Sequence, residues 1–163
     1  MSDYDEILIA LRRITRAIDL RSRRLMAVSG LTAPQIIMLR TVFKHTTVSA
    51  SQLAKEIMLS QATVTSILER LEKGGLIVKS RSDSDRRVVN ITLTPEGVRR
   101  MNAAPELLQA GFLRKLRKLK DWERSQLISS LQRVGEMMDA EDIDASPILE
   151  AGELLTDLKD SNL

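Results

Sequence analysis

SASQLAKEIMLSQATVTSILERLEK, residues 49–73, reads as two short helices joined by a tight corner. Ser49 with Gln52 has the spacing of a capping box, so a helix opens there and turns Leu53 and Ile57 to one side. After the corner Met58-Leu59-Ser60, Ser60 caps a second helix whose Val64, Ile67, Leu68 and Leu71 form a single apolar face. Ala54 is small where two helices must cross closely, and Leu59 plugs the corner; the pair is a helix-turn-helix. On the opposite face of the second helix stand Gln61, Ala62, Thr63, Thr65, Ser66, Glu69, Arg70 and Lys73. Glutamine can pair with adenine in a major groove, and threonine and serine serve base edges or phosphates. The same side chains on an ordinary surface helix are simply solvated, so this face alone decides nothing.

The adjoining stretch GGLIVKSRSDSDRRVVNITLTPEG, residues 74–97, changes the balance. Gly74-Gly75 ends the helix, and LIVKS and RRVVNITL have the β-branched composition of two strands joined across a polar loop near Ser82-Asp83-Ser84-Asp85. An antiparallel hairpin presenting Arg81, Arg86 and Arg87 beside a recognition helix is a wing, and arginine suits a narrow, electronegative minor groove. The plainer reading is a hairpin with a charged turn, in which Asp83 or Asp85 holds an arginine in place. The two are compatible, because a carboxylate that pairs with a guanidinium also orients its other donors. Thr94 then caps a further helix, with Pro95 in its first turn and Glu96 near its positive end.

Outward from this block the chain is helical. Ile7, Leu11, Ile14, Ile18 and Leu25 put one apolar stripe on a long helix from Tyr4 to about Val28. Gly30 stands where a glycine stop belongs, and Thr32 with Gln35 opens a helix carrying Ile36, Ile37, Leu39 and Val42. Beyond the wing, one helix is expected through Leu107, Phe112, Leu116 and Leu119. Another begins at Asp121, with Leu127, Leu131, Val134 and Met138 in a seam.

Composition bounds the function. The chain has 163 residues, 43% of them apolar, which is enough for a real core in one domain. Aromatic residues are only 2%, which disfavours the stacking platforms that bind single strands. No cysteine is present, so disulfides, a thiolate nucleophile and Cys-ligated zinc are excluded, and the single histidine, His45, has no second imidazole to share a metal. His45 is expected on a helix surface. No cofactor or metal site is expected, and an enzyme would lack any nucleophile and base set. No apolar run approaches the roughly 20 residues of a membrane span, and MSDYDEILIA is acidic where a signal peptide would be basic. A cytoplasmic protein without a membrane partner is expected.

The net charge of +3 conceals an asymmetry: residues 1–134 hold 24 Lys and Arg against 13 Asp and Glu, whereas residues 135–163 hold 1 against 9. A basic body of this kind either attracts a polyanion or is merely solvated.

Together these residues carry a resemblance. The helix-turn-helix, GGLIVKSRSDSDRR and the D-x-R…LT-x-x-G signature at Asp85, Arg87, Leu93, Thr94 and Gly97 resemble the MarR (multiple antibiotic resistance regulator) family over about residues 5–140. The resemblance implies a mainly α fold with a β-hairpin wing: a winged helix-turn-helix homodimer, shaped like a triangle, whose two lobes read a palindromic operator in double-stranded DNA. Carried onto matching positions, it places recognition-helix contacts at Gln61, Ala62, Thr63, Thr65, Ser66 and Arg70. Its wing contacts fall at Arg86 and Arg87, with Arg81 and Asp85 alongside. Phosphate-facing candidates are Arg40, Lys44, Lys55, Lys73 and Lys79.

Residues 31–97 then form the DNA-binding lobe, residues 1–30 and 98–142 the dimerisation helices, and residues 143–163 an acidic C-terminal extension. Dimerisation is also expected from the residues themselves, because one small winged domain cannot cover the seams of both the first and the last helix; the alternative is that they pair within one chain. The family responds to a small ligand or to cysteine oxidation, and the second route is closed here. For the first, Arg12, Arg13, Arg16 and Arg40 are candidates to line an anion site, against the reading that they are solvated or phosphate-directed. The opening LRRITRAIDLRSRRL and the ending SPILEAGELL resemble the branch that controls ectoine and other compatible-solute operons, which implies osmolarity or ionic strength as the input.

In the extension, Ser146-Pro147 resembles a helix start, and Ile148, Leu149, Leu154, Leu155 and Leu158 give it an apolar side. It either extends a dimer interface or competes with DNA phosphate for the basic face. The reading from another class is a winged-helix protein-interaction module without DNA binding, which would leave the basic body and the wing arginines unexplained.

Overall fold

A computed structural model describes residues 2–45, 48–81 and 89–141. The elements run α1 (Asp3–Ser29), α2 (Ala33–Lys44), α3 (Ala50–Ile57), α4 (Gln61–Lys73), β1 (Ile77–Arg81), β2 (Val89–Leu93), α5 (Pro95–Ala103), α6 (Leu108–Leu116) and α7 (Asp121–Met137). The fold is mainly helical, with a two-stranded antiparallel hairpin.

The expected caps fix the boundaries. Gly30 takes φ +68, where its N–H reaches the Met26 carbonyl and α1 stops. The Ser49 hydroxyl accepts from the Gln52 N–H at 3.3 Å while Gln52 Oε1 accepts from the Ser49 N–H at 2.9 Å, closing the box that opens α3. Ser60 Oγ accepts from the Thr63 N–H at 3.2 Å and opens α4. Between them Met58 occupies the left-handed region at φ 59, and the Leu59 N–H returns to the Ala54 carbonyl.

The core sits where these short helices converge. Ile36, Met38, Leu39 and Val42 of α2, Leu53 and Ile57 of α3, and Val64, Ile67, Leu68 and Leu71 of α4 are buried together with Ile77 and Ile91 of the hairpin. Leu25 of α1, Leu31, Val48, Leu76, Met101 of α5 and Leu107 belong to the same cluster. The hairpin register pairs Ile77 with Leu93, Lys79 with Ile91 and Arg81 with Val89. A pairing not expected from the sequence adds Val48, whose carbonyl accepts from the Ile91 N–H at 3.1 Å in a single antiparallel bridge. One paired residue carries no period-two pattern for a reader to find.

Two expectations need correction. The helix anticipated through Leu107 and Leu119 is shorter at both ends: Leu107 is its N-cap, and Lys118 and Leu119 bond back only three residues, so α6 tightens into a turn after Leu116. His45 is not on a helix surface. It lies just past α2 with extended backbone, half-buried, and Nε2 stands 2.7 Å from Glu56 Oε2.

The long helices are different. Of the stripe on α1 only Leu25 is buried, and Ile14 is 51% exposed; α6 and α7 bury no residue, with Trp122 at 62% and Leu131 at 57%. No single helix among the described residues is long and apolar enough to cross a membrane.

Candidate nucleic-acid interface

The α4 helix turns its apolar face into the core and leaves Gln61, Ala62, Thr65, Glu69, Arg70 and Lys73 exposed, with Thr63 and Ser66 half-buried. Two hydroxyls are already engaged. Thr65 donates to the Gln61 carbonyl at 2.8 Å, and Thr63 Oγ1 lies 2.8 Å from Ser60 Oγ. Each oxygen keeps a lone pair for an incoming donor, but their rotamers are fixed before any ligand arrives. The Gln61 and Ala62 side chains stand on the first turn, the part of such a helix that meets base edges.

The hairpin is tied to this helix by three contacts around the LT-x-x-G signature. The Thr94 hydroxyl donates to the Gly75 carbonyl at 2.7 Å and accepts from the Gly97 N–H at 3.1 Å, so one side chain joins the end of α4 to the start of α5. The Thr94 N–H donates to the Leu76 carbonyl at 3.0 Å. Gly97 lies against that same carbonyl so closely that a Cβ there would stand 2.1 Å from the oxygen. The signature is therefore a clamp on the base of the hairpin, which holds its orientation relative to α4.

Lys79 reinforces the clamp, with Nζ 2.7 Å from Glu72 of α4. Arg81 shares the strand face of Lys79 and is exposed at the last described residue of β1. Asp85, Arg86 and Arg87 lie outside the described residues. Of the phosphate candidates, Arg40, Lys55 and Lys73 are exposed, and Lys44 pairs with Glu56 at 2.9 Å. The hydrogen bonds from Lys44 and His45 hold the Glu56 carboxyl below the usual carboxylate range. Exposed pairs of this kind contribute little, so Lys44 retains the freedom to exchange its carboxylate for a phosphate.

Of the arginines expected at an anion site, Arg12, Arg13 and Arg16 line one open groove on α1. A second groove shares Arg12 and Arg16 and takes in Met138, and Arg40 lines neither. Sequence reading did not find the charge cluster at Glu106, whose carboxyl is held low by a hydrogen bond from Arg114 and by the nearby charges of Arg21 and Arg40. Its members are far apart in sequence and carry no motif.

Over residues 31–89 the chain matches the MarR family. The organic hydroperoxide resistance transcriptional regulator of Bacillus subtilis (strain 168) is 35% identical over 68 residues, covering 42% of this chain and 46% of that protein. The HTH-type transcriptional repressor MdtR of the same strain is 29% identical over 92 residues, covering 56% and 59%. The matched segment thus spans about half the length of these relatives. The structure of the S. aureus MepR–DNA complex shares the fold, with a TM-score of 0.56 at 20% identity over 85% of this chain and 99% of that one. The segment that matches the MarR family takes in α2, α3, α4 and β1 and ends at the first residue of β2, so the resemblance falls on the helix-turn-helix and the strand that follows it.

Proposed function

We propose that the chain is a sequence-specific regulator of transcription that binds double-stranded DNA, acting as a repressor that occupies a palindromic operator as a homodimer. The observation that carries this reading is the exposed polar row of α4 beside a hairpin clamped to it through Thr94 and Gly97. Residues 31–97 are the reading lobe. The α4 helix enters the major groove through Gln61, Ala62, Thr63, Thr65, Ser66 and Arg70; the wing, with Arg81, Asp85, Arg86 and Arg87, tracks the adjacent minor groove. Arg40, Lys44, Lys55, Lys73 and Lys79 anchor phosphates. The basic body and the name and fold of the relatives, one a repressor and one solved on DNA, support it.

Dimerisation is supported by the uncovered apolar seams of α1 and α7, and residues 1–30 and 98–142 are its helices. Two lobes related by a twofold axis would contact half-sites roughly 34–36 Å apart. The narrower reading is control of compatible-solute genes under osmotic stress in the cytoplasm, which rests on the resemblance of LRRITRAIDLRSRRL and SPILEAGELL.

The test is binding of the purified protein to duplex DNA from upstream of its own coding sequence, across a salt series and against a scrambled duplex. A site-specific complex whose log affinity falls linearly with log salt is expected. Arg87→Ala should weaken that complex while the protein stays folded and dimeric. Equal weak binding to both duplexes, untouched by Arg87→Ala, would overturn DNA reading and leave the protein-interaction module in its place.

A further inference from the structure

The α1 helix has a second side, away from its apolar stripe. At about 100° per residue, Ile7, Leu11, Ile14, Ile18 and Leu25 form one stripe, whereas Ile9, Arg12, Arg13, Arg16, Ala17 and Leu20 line an open groove on the opposite side. Its floor is apolar and its walls are arginine. An adjoining groove shares Arg12 and Arg16 and is also lined by Met138, the C-cap of α7. The chain just after α7 therefore lies beside Arg12 and Arg16 of α1.

The segment beyond α7 complements this groove in both charge and polarity. Residues 142–163 carry six acidic side chains and one lysine, with Ile148, Leu149, Leu154, Leu155 and Leu158 among them; residues 9–24 carry six arginines and one aspartate. Reach is not limiting. The groove from Ile9 to Leu20 extends about 16 Å along the helix axis, while the segment can span up to roughly 70 Å when extended. Tethering beside the groove gives the segment a high local concentration that a free partner would lack.

We propose that the acidic segment 142–163 docks in its own chain on this arginine-walled groove of α1, its leucines against Ile9, Ala17 and Leu20 and its carboxylates against Arg12, Arg13 and Arg16. The segment neutralises the charge on the back of α1 and covers apolar surface that would otherwise face water. The assignment does not depend on DNA binding.

Because the chain has no cysteine, one engineered pair reports on it without background. The full chain carrying Ala17→Cys and Leu154→Cys is treated with a short bis-maleimide, and the products are separated by mass into intrachain and interchain links. An intrachain link is expected in about 0.01 M salt, where screening acts only beyond roughly 30 Å. It should fall several-fold in about 1 M sodium chloride, where that length is roughly 3 Å, and also when Arg12→Glu and Arg16→Glu are added. Glu150→Arg with Glu153→Arg should restore it in that reversed background. Absence of an intrachain link at low salt, or one that ignores the charge reversals, overturns the proposal. A link formed only between chains also overturns it, giving the groove to a second copy.

Discussion

A methyl group on Gly97 would lie 2.1 Å from the Leu76 carbonyl oxygen, an atom that cannot move without disturbing the Thr94 N–H bonded to it. Gly97→Ala should therefore cost roughly 1–3 kcal/mol as an overpacked site, seen as a melting temperature lower by several degrees. Because the displaced backbone is the base of the hairpin, the variant should also bind operator DNA less well at temperatures where it is fully folded; an unchanged melting point would show that the clamp yields. Two other residues separate reading from anchoring. Gln61→Ala should cost about 1–3 kcal/mol at one base position and relax the preference there. Lys55→Ala should weaken all sequences alike and lower the salt slope by about 1. Competition binding with single-base operator variants distinguishes them, and a uniform loss for Gln61→Ala would remove it from the base contacts.

At the scale of elements, α5 offers a titration that can be isolated. Glu96 accepts hydrogen bonds from Arg99 and Arg100, which hold its carboxyl at about 2 rather than 4.5. A folded-state value below the unfolded one adds stability that is full above about pH 4.5 and is lost as pH falls through about 2. Thermal melts of the parent and of Glu96→Gln should therefore differ more at neutral pH than near pH 2; parallel acid limbs would mean that the pairs contribute nothing. The elements themselves were largely legible, because Gly30, Ser49 with Gln52, Ser60 and Thr94 are local signals, each acting on backbone within four residues. The D-x-R…LT-x-x-G resemblance likewise singled out Thr94 and Gly97, although only the folded chain shows why: the hydroxyl bridges Gly75 and Gly97, and the glycine touches Leu76. Not legible were the Val48 bridge to Ile91, the pairing of Lys79 with Glu72, and the arginines around Glu106. Each joins residues whose proximity depends on how helices pack, and no spacing rule encodes that.

At the scale of the whole molecule, burial divides the chain in two. The lobe from α2 to α5 holds most of the buried apolar residues, with Ile36, Leu39, Leu53 and Val64 wholly enclosed. By contrast Tyr4, Ile14, Phe112, Trp122, Ile128 and Leu131 of α1, α6 and α7 are exposed among the described residues, and exposed apolar faces of this kind mark contact surfaces. In the proposed dimer, association through these helices would remove that surface from water and fix the spacing of two α4 helices. Leu131→Glu would place a charge in the middle of the α7 seam, where desolvating it opposes association strongly. Sedimentation should then show a dimer for the parent and a monomer for the variant at the same concentration, while the helical content contributed by the lobe survives. Operator affinity should collapse toward that of a single half-site, because the second lobe no longer binds at the effective concentration set by the first. If Leu131→Glu remained dimeric, α7 would not be the seam, and the exposed face of α1 would have to carry the twofold contact alone.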